Sequence, residues 1–142
     1  MYHIIIIPII SALITQIIKL IIDAYHHRFS WSDLNSYGGM PSSHTAMVVS
    51  LVTAIGYFEG ITTTAFALSL VYALITVRDA IGFRFELGKH AQIINDHIKP
   101  ATTEESEPIE HLKERLGHTP LQALVGAILG LALTTIYIIL FV

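Results

Sequence analysis

Four apolar runs, Ile4 to Ile22, Pro41 to Phe58, Thr62 to Phe83 and Thr119 to Val142, take up most of the chain. Each approaches the roughly 20 residues that a helix needs to cross about 30 Å of hydrocarbon. A chain of 142 residues cannot bury four such runs in a water-soluble core, and in a bilayer each must satisfy its own backbone polar groups, which selects helices. Composition agrees: 53% of residues are hydrophobic, 13% are charged, and the mean hydropathy is +0.62. The expected fold class is therefore all-α, a single membrane domain over residues 1–142 with four transmembrane helices and a polar connection over 84–117. The first run lacks the basic leader and small-residue cleavage site of a signal peptide and carries Lys19, so it reads as a retained helix. The chain has no cysteine, which excludes disulfides, thiolate nucleophiles and Cys-ligated metals.

Four spans put both termini and the Glu59-Gly60 turn on one face of the membrane and every long polar stretch on the other. All eight Lys and Arg residues (19, 28, 78, 84, 89, 99, 113, 115) fall at or near that second face. With Lys19, Arg78, Arg84 and Lys89 set aside as ligand-binding candidates, four cations still face none. The positive-inside rule then puts the polar face in the cytoplasm and both termini outside, in a plasma membrane of bacterial type. Within the connection, the pattern predicts an interfacial helix over Phe85 to Ile98, stopped by Pro100, a solvated loop over Ala101 to Pro108, and renewed helical spacing over Ile109 to Leu116.

Two short polar sequences open apolar runs on the polar face: Gly38-Gly39-Met40-Pro41-Ser42-Ser43-His44, and Gly117-His118-Thr119-Pro120. Helix starts carry free N–H groups and the positive end of the helix dipole, so each is suited to an anion. A phosphomonoester at a membrane surface requires cations, an aligned nucleophile and a proton donor for the leaving oxygen. Lys19, Arg84 and Lys89 are candidate cations, His44 and His118 candidate donor and nucleophile, and Ser42 and Ser43 lie where helix-start N–H groups would add to the cradle. This chemistry calls for no metal and no cofactor.

These motifs resemble a known family. Pro-Ser-Ser-His at 41–44 looks like the Pro-Ser-Gly-His motif of the type-2 phosphatidic acid phosphatase and vanadium haloperoxidase superfamily, and the run from His118 through Gln122 to Gly126 is similar to its third motif. The closest likeness is to a divergent branch of small membrane proteins, which also carries an Asp-x-x-Gly-x-Arg element, here 79–84, and Gly-Lys-x-Ala, here 88–91. The resemblance implies His118 as nucleophile forming a phosphohistidine, His44 as general acid, and Lys19, Arg84 and Lys89 as phosphate binders. It implies a lipid phosphate as substrate, with phosphatidic acid, phosphatidylglycerol phosphate and polyprenyl phosphates all compatible.

Three departures accompany it. Gln122 stands where the superfamily has the carboxylate that orients the nucleophile; Leu112 stands where its third motif has serine; and the first motif is matched by Lys19 alone. Asp79, a charge within an apolar run, is the candidate to supply the missing carboxylate.

Each residue has a structural alternative. Lys19 could snorkel, Arg84 could anchor at the interface, Asp79 could pair with a neighbour for packing, and Thr119 could simply cap a helix. The remaining histidines (3, 26, 27, 90, 97, 111) read as interfacial or solvated, and Asn95 and Gln92 as possible neighbours of the site. Gly126 and Gly130 permit close helix packing within or between subunits, and a homodimer would help bury the polar groups of the first and third spans. The expected partners are membrane lipids and a lipid phosphate, and no nucleic acid. A carrier that binds the phosphate without cleaving it, or a scaffold, are the competing readings.

Overall fold

The computed structural model describes residues 2–25, 39–98, 112, 114 and 116–142. It contains five helices: α1 (Tyr2–Tyr25), α2 (Ser43–Phe58), α3 (Thr64–Ile81), α4 (Phe83–Ile98) and α5 (Pro120–Phe141), with no strand among the described residues. The loop expected over 101–108 and the cations Arg28, Lys99, Lys113 and Arg115 lie outside the described residues.

α1 is polar on its buried face and apolar on its exposed one. Ser11, Thr15 and Lys19, spaced four apart on one face, are at most 3% exposed, whereas Ile5, Ile9, Leu13, Ile17 and Ile21 on the opposite face are each at least half exposed. In water this arrangement would be upside down; in lipid, whose tails are as apolar as isoleucine, it is the stable one. The polar face of α1 is thus already buried within one chain.

α2 is the central helix and packs against α1, α3 and α5. Its contact with α5 is close because two glycines permit it. A Cβ on Gly126 would strike the Ser42 carbonyl, and one on Gly130 would strike the Ala46 carbonyl, so the Gly-x-x-x-Gly pair serves packing inside the chain. The same seam carries Ser42 N–H donating to the Gln122 carbonyl at 3.3 Å and Thr134 Oγ1 donating to Ser50 Oγ at 2.7 Å.

Among the described residues, three helical stretches are long and apolar enough to cross a membrane: Tyr2–Tyr25, Thr64–His97 and Pro120–Phe141. The expectation of four spans is therefore met only in part. α2 has 16 residues, about 24 Å at 1.5 Å per residue, against about 30 Å of hydrocarbon. Its start is set by Ser42, whose hydroxyl accepts from Thr45 N–H at 3.3 Å, so Pro41 lies just outside the helix. The helix expected from Phe85 begins at Phe83, separated from α3 only by Gly82, whose φ of −104° and ψ of −91° break the helical run.

The helical spacing expected over 109–116 is not realised where the chain is described. Leu112, Glu114 and Leu116 are non-helical, and Leu116 N–H donates to the Glu114 carbonyl two residues back, at 2.9 Å. Residues 109–111, 113 and 115 of that segment lie outside the described residues.

At the end of the bundle away from Lys19, His3 stacks on Phe58 with centroids 5.5 Å apart and its Nδ1 lies 3.2 Å from the Tyr137 hydroxyl. This histidine, expected to be interfacial, joins a packed aromatic cluster.

Candidate functional site

Where α2 begins, α3 ends and the chain returns to α5, a hollow of about 40 Å³ is lined by His44, Thr76, Asp79, Ala80, Arg84 and His118. On this measure one water needs roughly 10–15 Å³, so the hollow admits a small polar group larger than a single water. The two histidines, more than seventy residues apart in sequence, meet here with one arginine and one aspartate.

His118 is held by its backbone and by one ring nitrogen. Its N–H donates to the Ala80 carbonyl at 2.9 Å, near the end of α3, where the break at Gly82 interrupts the helical ladder. Its ring Nδ1 lies 3.1 Å from the Gly39 carbonyl. A carbonyl can only accept, so Nδ1 carries the hydrogen and Nε2 is left with its lone pair. The side chain is 4% exposed. That burial is the main reason its pKa lies below the ordinary 6.5; the Gly39 carbonyl acts in the opposite sense, Lys19 and His44 lower it further, and Gln122 raises it slightly.

Gly39 is the residue that sequence reasoning missed. It adopts φ +103°, a left-handed conformation that favours glycine, and a Cβ there would lie 2.8 Å from Lys19 Cε. Its carbonyl meets His118 where the superfamily motif leads one to expect a carboxylate. The sequence signal was the Gly-Gly pair before Met-Pro, which marks a turn but not a hydrogen-bond acceptor. Thr76 and Ala80, both in the hollow or on its wall, carry no motif at all.

The remaining candidates divide. Lys19 is 3% exposed, against Gly39 and electrostatically coupled to His118. Arg84 lines the hollow, and its Nε donates to Asp79 Oδ2 at 2.6 Å, with both side chains nearly half exposed. The Asp79 carboxylate is thus engaged with Arg84, and the partner of His118 Nδ1 is the Gly39 carbonyl. Ser42 is fully buried with its hydroxyl turned under the helix start, where it also accepts from Thr45 Oγ1 at 3.0 Å, while Ser43 is half-buried. Gln122 closes a capping box: its Oε1 accepts from Thr119 N–H at 3.0 Å while Thr119 Oγ1 accepts from Gln122 N–H at 3.3 Å.

Lys89 is not brought to the hollow. It is exposed on α4, 2.8 Å from Glu86 and 4.6 Å over the Phe85 ring, and is not among the residues that line the hollow. Asn95 is fully buried but faces Leu112 and Glu114 rather than the hollow. Among the described residues no group of three or more His, Asp or Glu side chains is arranged to hold a metal ion.

The model of the family described as Divergent PAP2 matches residues 2–133. A protein of Bacillus subtilis (strain 168), described as the uncharacterised membrane protein YuiD, is 35% identical over 148 aligned residues, covering 91% of this chain and 92% of its own. No solved structure matches.

Proposed function

Because this chain belongs to the Divergent PAP2 family, a family of membrane proteins, we propose that it is a metal-independent phosphatase of lipid phosphates, with His118 as nucleophile and His44 as general acid. The observation that carries this reading is the shared hollow. His44, Arg84 and His118 border one small polar space, and with Nδ1 bonded to the Gly39 carbonyl it is Nε2 of His118 that carries the lone pair.

In the proposed reaction His118 Nε2 attacks phosphorus and the P–O bond to the lipid breaks as the N–P bond forms. Protonated His44 gives its proton to the departing alkoxide. Now neutral, His44 takes a proton from water as that water attacks the phosphohistidine; the N–P bond breaks, phosphate leaves, and both rings regain their starting forms. Lys19 and Arg84 offset the charge on the phosphoryl oxygens, with Asp79 fixing the guanidinium. The helix-start amides at Ser43 and His44 add uncharged donors.

The lipid requirement follows from position. The hollow lies at helix ends beside lipid-facing helices, so a substrate with an apolar tail reaches it by lateral diffusion. In the proposed topology α2 is a fourth, short crossing, with the hollow on the cytoplasmic side and both termini outside, following the positive charge.

One observation favours a second reading, a carrier that binds the phosphate and does not cleave it. The Nδ1 partner of His118 is a neutral carbonyl, which orients the ring but cannot stabilise its cationic form as a carboxylate would.

Purified protein in detergent, incubated with phosphatidic acid, phosphatidylglycerol phosphate and polyprenyl phosphate, tests the two. The phosphatase releases inorganic phosphate from at least one, loses release in His118→Ala, is inhibited by vanadate, and yields an acid-labile phosphoenzyme. Tight binding of the same lipids without release in either protein would establish the carrier and overturn the enzyme.

A further inference from the structure

α4 carries a buried face whose residues have no part in the hollow: Gly88, Ala91 and Asn95, at i, i+3 and i+7. Asn95 is 1% exposed and makes three hydrogen bonds to the chain that returns toward α5. Its Nδ2 donates to the Leu112 carbonyl and to Glu114 Oε1, each at 2.8 Å, and its Oδ1 accepts from Leu112 N–H at 3.0 Å. Gly88 admits the same segment, since a Cβ there would lie 2.6 Å from the Glu114 carbonyl oxygen and 3.0 Å from that of Leu116. Gly117, at φ +78°, then lies against the backbone of Arg84 and Phe85, and His118 N–H reaches Ala80.

The contacts run in order: 112 at 95, 114 and 116 at 88, 117 at 84–85, 118 at 80. The return segment therefore runs antiparallel to α4 and the end of α3. Leu116 N–H, bonded to the Glu114 carbonyl at 2.9 Å, ties the part of the segment that Asn95 holds to the part that carries His118 two residues on. A displacement of Leu112 and Glu114 is passed through that turn toward His118.

We propose that Asn95 is a positioning residue for His118, holding the far end of the return segment so that the ring is delivered to Gly39 and the hollow. This rests on the reading of His118 as the reacting group, but the seating of the ring is measurable without turnover.

The test is the titration of His118 by NMR on histidine-labelled, full-length protein in detergent, with the resonance assigned through His118→Ala. The groups that face the ring or share its hollow are Lys19, His44, Asp79, Arg84, Gln122 and the Gly39 carbonyl, and these are unaltered by the variants. Asn95→Leu removes all three hydrogen bonds at similar volume. Asn95→Asp keeps the acceptor for Leu112 N–H but sets a carboxylate against Glu114, and adding Glu114→Gln restores a donor–acceptor pair with the roles reversed.

The expected result is that His118 titrates below 6.5 in the wild type, moves up toward 6.5 in Asn95→Leu and Asn95→Asp as water reaches the ring, and moves back down in the double variant. The His3 resonance at the opposite end stays fixed throughout, which separates loss of the seat from loss of the fold. Phosphate release falls by up to about a hundredfold with the loss of the seat, as for other displacements of about 1 Å, and recovers with Glu114→Gln. Unchanged His118 titration in Asn95→Leu or, if that variant fails to fold, in Asn95→Asp, overturns the proposal. If the wild type hydrolyses no lipid phosphate, the phosphatase reading fails on its own while the titration still decides the role of Asn95.

Discussion

His118 is set apart from the other described histidines by what touches it rather than by its neighbours in sequence. Burial and the cation of Lys19 disfavour its imidazolium, so the neutral, nucleophilic form persists as pH falls below the ordinary 6.5. Since the pKa is lowered, the acid limb of kcat/KM for phosphate release is expected below 6.5, and it reports the free enzyme. Lys19→Met removes a charge that opposes protonation, so the His118 midpoint rises; an NMR titration of the ligand-free variant checks the direction independently of phosphate binding. Asp79 acts on the site through Arg84, with 2.6 Å between Oδ2 and Nε. Asp79→Asn keeps a hydrogen-bond acceptor but loses the charge that fixes the guanidinium, and is expected to reduce phosphate release by up to about a hundredfold while the His118 titration, set first by burial and then by Gly39 and Lys19, changes little. A large shift in that titration would mean instead that Asp79 acts on the imidazole.

Among the elements, α5 performs two tasks with one sequence. Its first turn is fixed by the Thr119–Gln122 capping box, and its glycines bring it onto the backbone of α2 at Ser42 and Ala46. The seam therefore sets the distance between the start of α2, with His44, and the start of α5, preceded by His118. Gly126→Val and Gly130→Val would insert side chains against carbonyl oxygens that cannot rotate away. Each is expected to lower stability by about 1–3 kcal/mol, the usual range for overpacking, seen as a lower Tm in detergent, and to abolish phosphate release. Gly60→Ala, at φ +99° with open space around it, provides the contrast: local strain with no effect on the hollow.

For the molecule as a whole, the polarity of α1 is inside out and every helix start bearing a site histidine lies at one end of the bundle. The proposed orientation is open to direct measurement because the chain contains no native cysteine. In intact cells a membrane-impermeant maleimide should label Glu59→Cys, in the turn between α2 and α3, and should label Glu86→Cys, on the exposed side of α4, only after permeabilisation. The reverse pattern would place the hollow outside.

Much of this was readable from the chain alone. Helical class, lipid exposure, the positions of the helix starts and the two histidines follow from local chemistry: runs of isoleucine and leucine, a capping Ser or Thr, and a proline at a helix's first turn are decided by residues within a few positions of one another. What the fold alone decided are contacts between distant segments. The acceptor on His118 Nδ1 is a backbone carbonyl at Gly39, and carbonyls are present at every residue, so no side-chain pattern could single it out. The direction of Lys89 away from the hollow depends on how α4 leaves Gly82. The non-helical form of Leu112, Glu114 and Leu116 is tied to their contacts with Asn95 and Gly88 of α4, which exist only once the segment has packed there, and those contacts override the helical spacing written into the segment.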